Sequence, residues 1–230
     1  MLVDIHTHRS VEDNEGVIAV MSCHPCDIYN FSNFDNFFNF ANSGEKGTLS
    51  PTLPQPAVNQ RFSVGIHPWR VNVGWKHVFD AMVPLFQRSD VVAVGECGLD
   101  RVRGIDLSVQ LDCFEAHLDL AESLSKPVIV HCVKAIDELL AMRRLHPHVQ
   151  MIVHGFRGKP TLAHQLLQAG MELSFGPYFN ADSLRLAYGE RRMWLETDDS
   201  GWSIAQVYDR AASALSISPT DISLPGTLAL

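Results

Sequence analysis

An α/β chain of the TIM-type (β/α)8 barrel class is what this sequence predicts, and three observations carry that expectation. Eight short apolar runs recur along the chain, most of them separated by stretches with helical periodicity. Five of the runs lead into a residue that can bind a metal, and a parallel barrel gathers its chemistry at the C-terminal ends of its strands. The chain has 230 residues, 46% of them apolar. That suits one barrel domain spanning 1–230 and argues against disorder.

The first run, Leu2-Val3-Asp4-Ile5, leads into His6 and His8. Residues 12–16 are too few for a full crossover helix before the second run, Val17-Ile18-Ala19-Val20-Met21, so the barrel's first helix is expected to be reduced or missing. The Asn/Phe-rich stretch 29–40 is compatible with one helix. Gly44, Gly47, Pro51, Pro54 and Pro56 then mark a loop.

From Phe62 onward the alternation is regular. Strand 62–66 precedes a helix over 76–87, and strand 91–96 precedes a long helix over 106–125. In that helix Leu107, Leu111, Phe114, Leu118, Ala121 and Leu124 recur every three or four residues, with Asp106 placed to cap it. Strand 127–131 leads to helix 134–145, and strand 150–154 to helix 160–169. Strand 171–175 leads to helix 181–189, and strand 192–197 to helix 203–215. The chain then ends soon after, so a truncated C-terminal helix is expected.

Composition excludes several classes. No stretch has the ~18 uninterrupted apolar residues of a membrane span, and no basic segment followed by an apolar one opens the chain. Five scattered cysteines suit reduced thiols, so a cytoplasmic location is expected. Net charge is −8 with no basic stripe, which argues against non-specific binding to duplex nucleic acid. A phosphate substrate stays compatible, because bound cations can dominate the field inside a site. No protein partner is evident, and a monomer is expected.

The candidate ligands lie where strands end. Glu96 follows Val91-Val92-Ala93-Val94-Gly95, His131 follows Pro127-Val128-Ile129-Val130, and His154 follows Met151-Ile152-Val153. Asp198 follows Met193-Trp194-Leu195-Glu196-Thr197. His6 and His8 alternate along a strand and so share a face. Alone this is weak, since 11 histidines in 230 residues give about half an H-x-H pair by chance. His146-Pro147-His148 is such a pair, expected at the opposite mouth and solvated. What sets the others apart is a shared mouth. Four imidazoles and two carboxylates there suit two first-row ions and hydrolysis by a metal-activated water.

Asp4-Ile5-His6-Thr7-His8, Gly65-Ile66-His67-Pro68, Gly95-Glu96-Cys97-Gly98-Leu99-Asp100, Lys126-Pro127-Val128-Ile129-Val130-His131, His154-Gly155-Phe156 and Glu196-Thr197-Asp198 follow one another along the chain. Together they resemble the TatD family of metal-dependent deoxyribonucleases, barrel enzymes of the amidohydrolase superfamily. The resemblance implies two divalent ions (Zn, Mn or Mg) and hydrolysis of phosphodiester bonds at DNA ends or in short single strands. It also implies roles: His6, His8 and Asp198 on the first ion, His131 and His154 on the second, Glu96 on both, with Asp198 as general base.

Around that cage, His67 is a candidate phosphate contact, Arg157 a bidentate phosphate clamp, and Lys134 a basic group one position after the family's own. Asp100 is placed to orient a histidine or to hold its loop. Trp69 and Trp202 lie on mouth-side loops and are read chiefly as packing. Cys23-His24-Pro25-Cys26 has zinc or redox spacing without a second cysteine pair, and is read as loop. Two rivals stay open. One is an amidohydrolase-type C–N or lactone hydrolase with the same cage. The other is an inactive barrel used as a binding scaffold, suggested by Cys132-Val133-Lys134 and Asp199-Ser200-Gly201-Trp202 where the family has other residues.

Overall fold

The computed structural model describes residues 1–9, 16–24, 53 and 55–226. Eight strands form one sheet in sequential order: β1 (Leu2–Thr7), β2 (Val17–Cys23), β3 (Gln60–Val64), β4 (Val91–Asp100), β5 (Val128–Val133), β6 (Met151–Val153), β7 (Glu172–Phe175) and β8 (Met193–Leu195). The ladders β1–β2, β3–β4, β4–β5, β6–β7 and β7–β8 are all parallel. A parallel bridge between Thr7 and Asp198 brings the first strand to the last. Six α-helices lie among the described residues: α1 (Trp75–Met82), α2 (Leu107–Leu124), α3 (Ile136–Leu145), α4 (Pro160–Gln168), α5 (Ala181–Gly189) and α6 (Ile204–Leu215). This is the expected (β/α)8 class. No helix among the described residues is long and apolar enough to cross a membrane.

The chain gathers into two compact units. One comprises Met1–Met21, Ala57–Arg61 and Gln150–Leu230; the other comprises Ser22–Pro56 and Phe62–Val149. In the first, Ile5, Ile152, Phe175 and Trp194 from the strands are buried, as are Leu166, Leu184 and Val207 from α4, α5 and α6. In the second, Phe62, Leu99 and Ile129 are buried with Met82, Phe114, Leu118 and Leu139 from α1, α2 and α3. Each such side chain contributes about 1.5–3 kcal/mol on full burial. All ten positions of β4 are buried, as a parallel strand covered on both faces requires.

Local chemistry sets most boundaries. α1 stops at Met82 because Pro84 follows, and the chain tightens into a 3-10 turn over Val83–Gln87. α6 opens with a capping box in which Ser203 and Gln206 satisfy each other's backbone N–H groups. α5 opens on Asn180, whose side chain accepts from the backbone of Asp182 and Ser183.

Several expectations change. Asp106 precedes α2 but makes no side-chain cap bond; its carbonyl accepts from Val109 and Gln110 instead. β4 does not end at Glu96 but continues to Asp100, because Cys97 to Asp100 keep pairing with Val130 to Val133 of β5. His146 is buried rather than solvated. Its backbone N–H donates to Met142 at the end of α3, and its Nδ1 lies 3.5 Å from Glu122 and 3.8 Å from Asp119 on α2.

The reduced first helix falls in the interval 8–16, of which residues 10–15 lie outside the described residues. The 29–40 helix lies outside them too, as do all but 53, 55 and 56 of the loop that follows. At the C-terminus, α6 is followed by a 3-10 turn at Pro219–Asp221, and residues 227–230 lie outside the description.

Candidate metal centre

In the first unit, β1 and β8 supply a paired set of ligands. Asp4 of β1, buried, accepts from the Thr197 backbone at 2.9 Å and from its hydroxyl at 2.7 Å. Burial pushes the Asp4 carboxyl up to about 7, with the Thr197 bonds opposing the rise. Two residues on, the Asp198 N–H donates to the His6 carbonyl at 3.0 Å, and the His8 N–H donates to the Asp198 carbonyl at 3.4 Å. This backbone exchange brings the side chains together. His6 Nε2 lies 3.8 Å and His8 Nε2 3.5 Å from Asp198 Oδ1. His6 is fully buried while the His8 side chain is 43% exposed, so the cluster opens toward solvent on the His8 side.

A second cluster in the same unit joins His154, Glu196 and Asp198. The Gly155 N–H donates to Glu196 Oε1 at 2.7 Å, and His154 Nδ1 lies 3.6 Å from that same oxygen. Burial pulls the Glu196 carboxyl upward, but His154 and the nearby His6 outweigh it and hold the group below the usual carboxylate range. The His6 and His154 rings are 4.5 Å apart. Sequence reading named Glu196 within a motif but not as a ligand. The signal was there, because Glu196 and Asp198 are two residues apart.

In the second unit, Glu96 Oε1 lies 2.9 Å from His131 Nδ1 and 3.0 Å from His67 Nε2. The two imidazoles are 3.3 Å apart at these nitrogens. Glu96 reaches them from inside β4 because the ladder to β5 slips between Val94 and Cys97. Gly95, at φ +123°, lies inside the slip, and Gly98 just past it lets β4 run close against β5. Gly98 has φ +140°, and a Cβ there would sit 2.1 Å from the His131 carbonyl oxygen. His67 was expected to contact substrate; here it stands among the candidate ligands, its Nδ1 accepting from the Trp69 N–H at 3.1 Å.

Asp100 turns out to do both things expected of it. Its Oδ2 lies 3.2 Å from His131 Nε2 and accepts from the Trp69 indole N–H at 2.6 Å. Its Oδ1 accepts from the backbones of Val102 and Arg103 at 2.7 and 3.0 Å. Burial favours the neutral acid, but these bonds prevail and Asp100 titrates below its ordinary value.

Arg157 is exposed, its guanidinium 5.4 Å from the Tyr178 ring. Lys134 is exposed, with φ +52°. Trp202 is partly exposed at the start of α6. Of Cys23-His24-Pro25-Cys26, only the first two fall among the described residues. His24 is buried 3.3 Å from the Arg70 guanidinium, and burial followed by that charge pushes it well below its ordinary range.

A parallel barrel with histidine–carboxylate clusters at its strand ends defines a candidate metallohydrolase centre. In each of the three clusters the ligand atoms lie within 4.8 Å of one another, a spacing and donor set that fit a first-row divalent ion.

Residues 55–199 match the family model for TatD related DNase, and the chain belongs to that family. It is 29% identical over 148 residues to the 3'-5' ssDNA/RNA exonuclease TatD of Pantoea ananatis, covering 59% of this chain and 56% of that one. The chain spans about half the length of the curated relatives it matches. Among solved structures, a TatD family hydrolase from Entamoeba histolytica superposes with TM-score 0.67 at 14% identity, over 96% of this chain and 93% of the other. YJJV, a TatD homologue from Escherichia coli k12, gives 0.66 at 21%, over 93% and 90%. At these identities the structures speak to fold.

Proposed function

We propose that the chain is a metal-dependent phosphodiesterase acting on the ends of single-stranded nucleic acid. The observation that carries this reading is that every ligand implied by the family motifs lies in a histidine–carboxylate cluster. The name shared by the relatives, 3'-5' ssDNA/RNA exonuclease, supplies the substrate class.

His6, His8 and Asp198 would hold one ion, and His131, His154 and Glu96 are the further ligands that the family motifs imply. Zn or Mn suits these imidazole-rich donors, and Mg is the third ion that the family resemblance implies. When bound, such ions make water a nucleophile at neutral pH and neutralise phosphoryl oxygens. The chain's own residues do the rest. Asp198, at the solvent-facing edge of its cluster, takes the proton of the attacking water and returns one to the leaving oxygen. Glu196 keeps its charge beside His154 and holds that imidazole in place. Asp100 accepts from His131 Nε2, so Nδ1, the nitrogen 2.9 Å from Glu96, is the one that would meet a metal. A cytoplasmic monomer fits the composition.

The test is direct. The purified protein is analysed for bound metal and assayed with added Mn, Mg or Zn on single-stranded oligonucleotides, small phosphodiesters, lactones and cyclic amides. Cleavage of the oligonucleotides from an end is expected. Turnover of only lactones or amides would replace the reading with the C–N and lactone alternative. A protein that takes up no metal and cleaves nothing would leave the scaffold reading.

A further inference from the structure

We propose that Arg103, stacked on the indole of Trp69, is the phosphate-binding residue beside the His67–Glu96–His131 cluster. Its ligand is the anionic backbone of a nucleic acid strand. The inference rests on the phosphodiesterase reading for its substrate and on different residues for its geometry.

The Arg103 guanidinium carbon lies 3.7 Å from the Trp69 ring centroid, in direct contact with the ring. Trp69 is itself fixed: its indole N–H is bonded to Asp100, its backbone N–H to His67, and its ring meets those of His67 and His131 at 4.7 and 5.7 Å. The guanidinium is therefore no further from the His67 ring than the two spacings laid end to end, about the reach of one nucleotide.

The loop carrying Arg103 is as firmly set. Gln110, buried in α2, donates from its amide to the carbonyls of Asp100 and Ile105 at 3.0 and 2.7 Å, lies 3.4 Å from the Arg103 carbonyl, and accepts from the Asp100 N–H. Gly104, at φ +98°, lies so close to the Pro68 carbonyl that a Cβ would approach it to 2.7 Å. Turn 68–70 and loop 101–105 are thus held as one piece.

Charge distinguishes Arg103 from its neighbour. Arg101 pairs with Glu138. Arg103, although exposed, is in no ion pair among the described residues, and stacking leaves the edge donors of its guanidinium available. A pre-ordered planar guanidinium with free donors suits a phosphate, which it can grip through two hydrogen bonds. Arg157 sits further from its aromatic neighbour, 5.4 Å from the Tyr178 ring.

The experiment measures binding, so it does not depend on turnover. Affinity of the full chain for a fluorescein-labelled thymidine octanucleotide is followed by anisotropy in EDTA across a salt series. A methylphosphonate octamer with a neutral backbone serves as comparison. Arg103→Gln should weaken binding of the phosphodiester strand about tenfold and flatten the slope of log K against log salt by about 0.7. The neutral strand should be unaffected. Trp69→Leu should weaken the charged strand in the same way, Trp69→Phe less so, and Arg101→Gln little.

An unchanged affinity and salt slope in Arg103→Gln would overturn the proposal, as would an equal loss for the neutral strand or a wild type that binds neither. Cleavage is read separately. A wild type that binds with the expected salt slope yet cleaves no phosphodiester under any metal would remove the phosphodiesterase reading and leave Arg103 standing. Cleavage with a silent Arg103→Gln would do the reverse.

Discussion

Asp100 Oδ2 lies 3.2 Å from His131 Nε2, on the side of the imidazole opposite the one that faces Glu96. The ring is thus held between two carboxylates, and only the nitrogen facing Glu96 is left for a metal. Asp100→Asn should lower metal affinity about 10- to 100-fold through loss of this orienting charge. Asn can still accept from Val102 and Arg103, so the loop should hold. Competition with a chelator measures the effect, and an unaltered affinity would reduce Asp100 to a loop residue.

Asp198 has a different part. In Asp198→Asn, bound metal measured by mass spectrometry should persist, since His6 and His8 remain, while phosphodiester cleavage falls about 10²-fold or more. Full activity in this variant would exclude Asp198 as the general base.

The close approach of β4 to β5 beside His131 depends on Gly98. Gly98→Ala forces a Cβ against the His131 carbonyl at a backbone angle alanine rarely adopts, so β4 or β5 must shift. We expect a loss of about 3 kcal/mol or more in urea unfolding. Metal uptake should fall in the fraction that stays folded, because the strain acts on the residue that carries a ligand.

Acid should weaken the fold through His117. This imidazole is fully buried, accepts from the Ile66 N–H at 3.1 Å and lies 2.7 Å from the Cys113 carbonyl. Burial lowers it from 6.5 to about 4. Between those values the unfolded chain binds the proton and the folded chain does not, so stability declines as pH falls from about 6.5 through 4. The decline amounts to about 3 kcal/mol at most. His117→Gln, which keeps a donor and an acceptor, should flatten that stretch of the stability–pH curve. An identical curve would assign the acid sensitivity elsewhere.

Much of the fold was legible in the order of residues. Apolar runs alternating with 3.6-residue periodicity marked the strands and helices from β3 to α6, usually to within a residue or two. Candidate ligands were legible because barrel strands deliver their C-terminal ends to one mouth, so a histidine or acid closing a buried run has a known destination. His8, His131, His154 and Asp198 became candidates in that way. The failures share a cause. Glu96 lies inside a longer strand, reaching its partners through a register slip, and a slip has no periodicity of its own. His146 looked like a loop histidine until α2 was seen packed against it.

The sequence by itself determined the class of fold, the family and the identity of the candidate ligands, because these follow from local pattern and from residue types repeated in order. Only the tertiary structure decided which of these groups touch. It put His67 with Glu96 and His131, added Glu196 to His154, and set Asp100 behind His131. It also separated Arg103, stacked on Trp69 and in no ion pair among the described residues, from Arg101, paired with Glu138. The physical reason is range. Hydrophobic periodicity acts over a few residues, whereas hydrogen bonds and charge pairing need atoms within a few ångströms, and chain order alone does not state those distances.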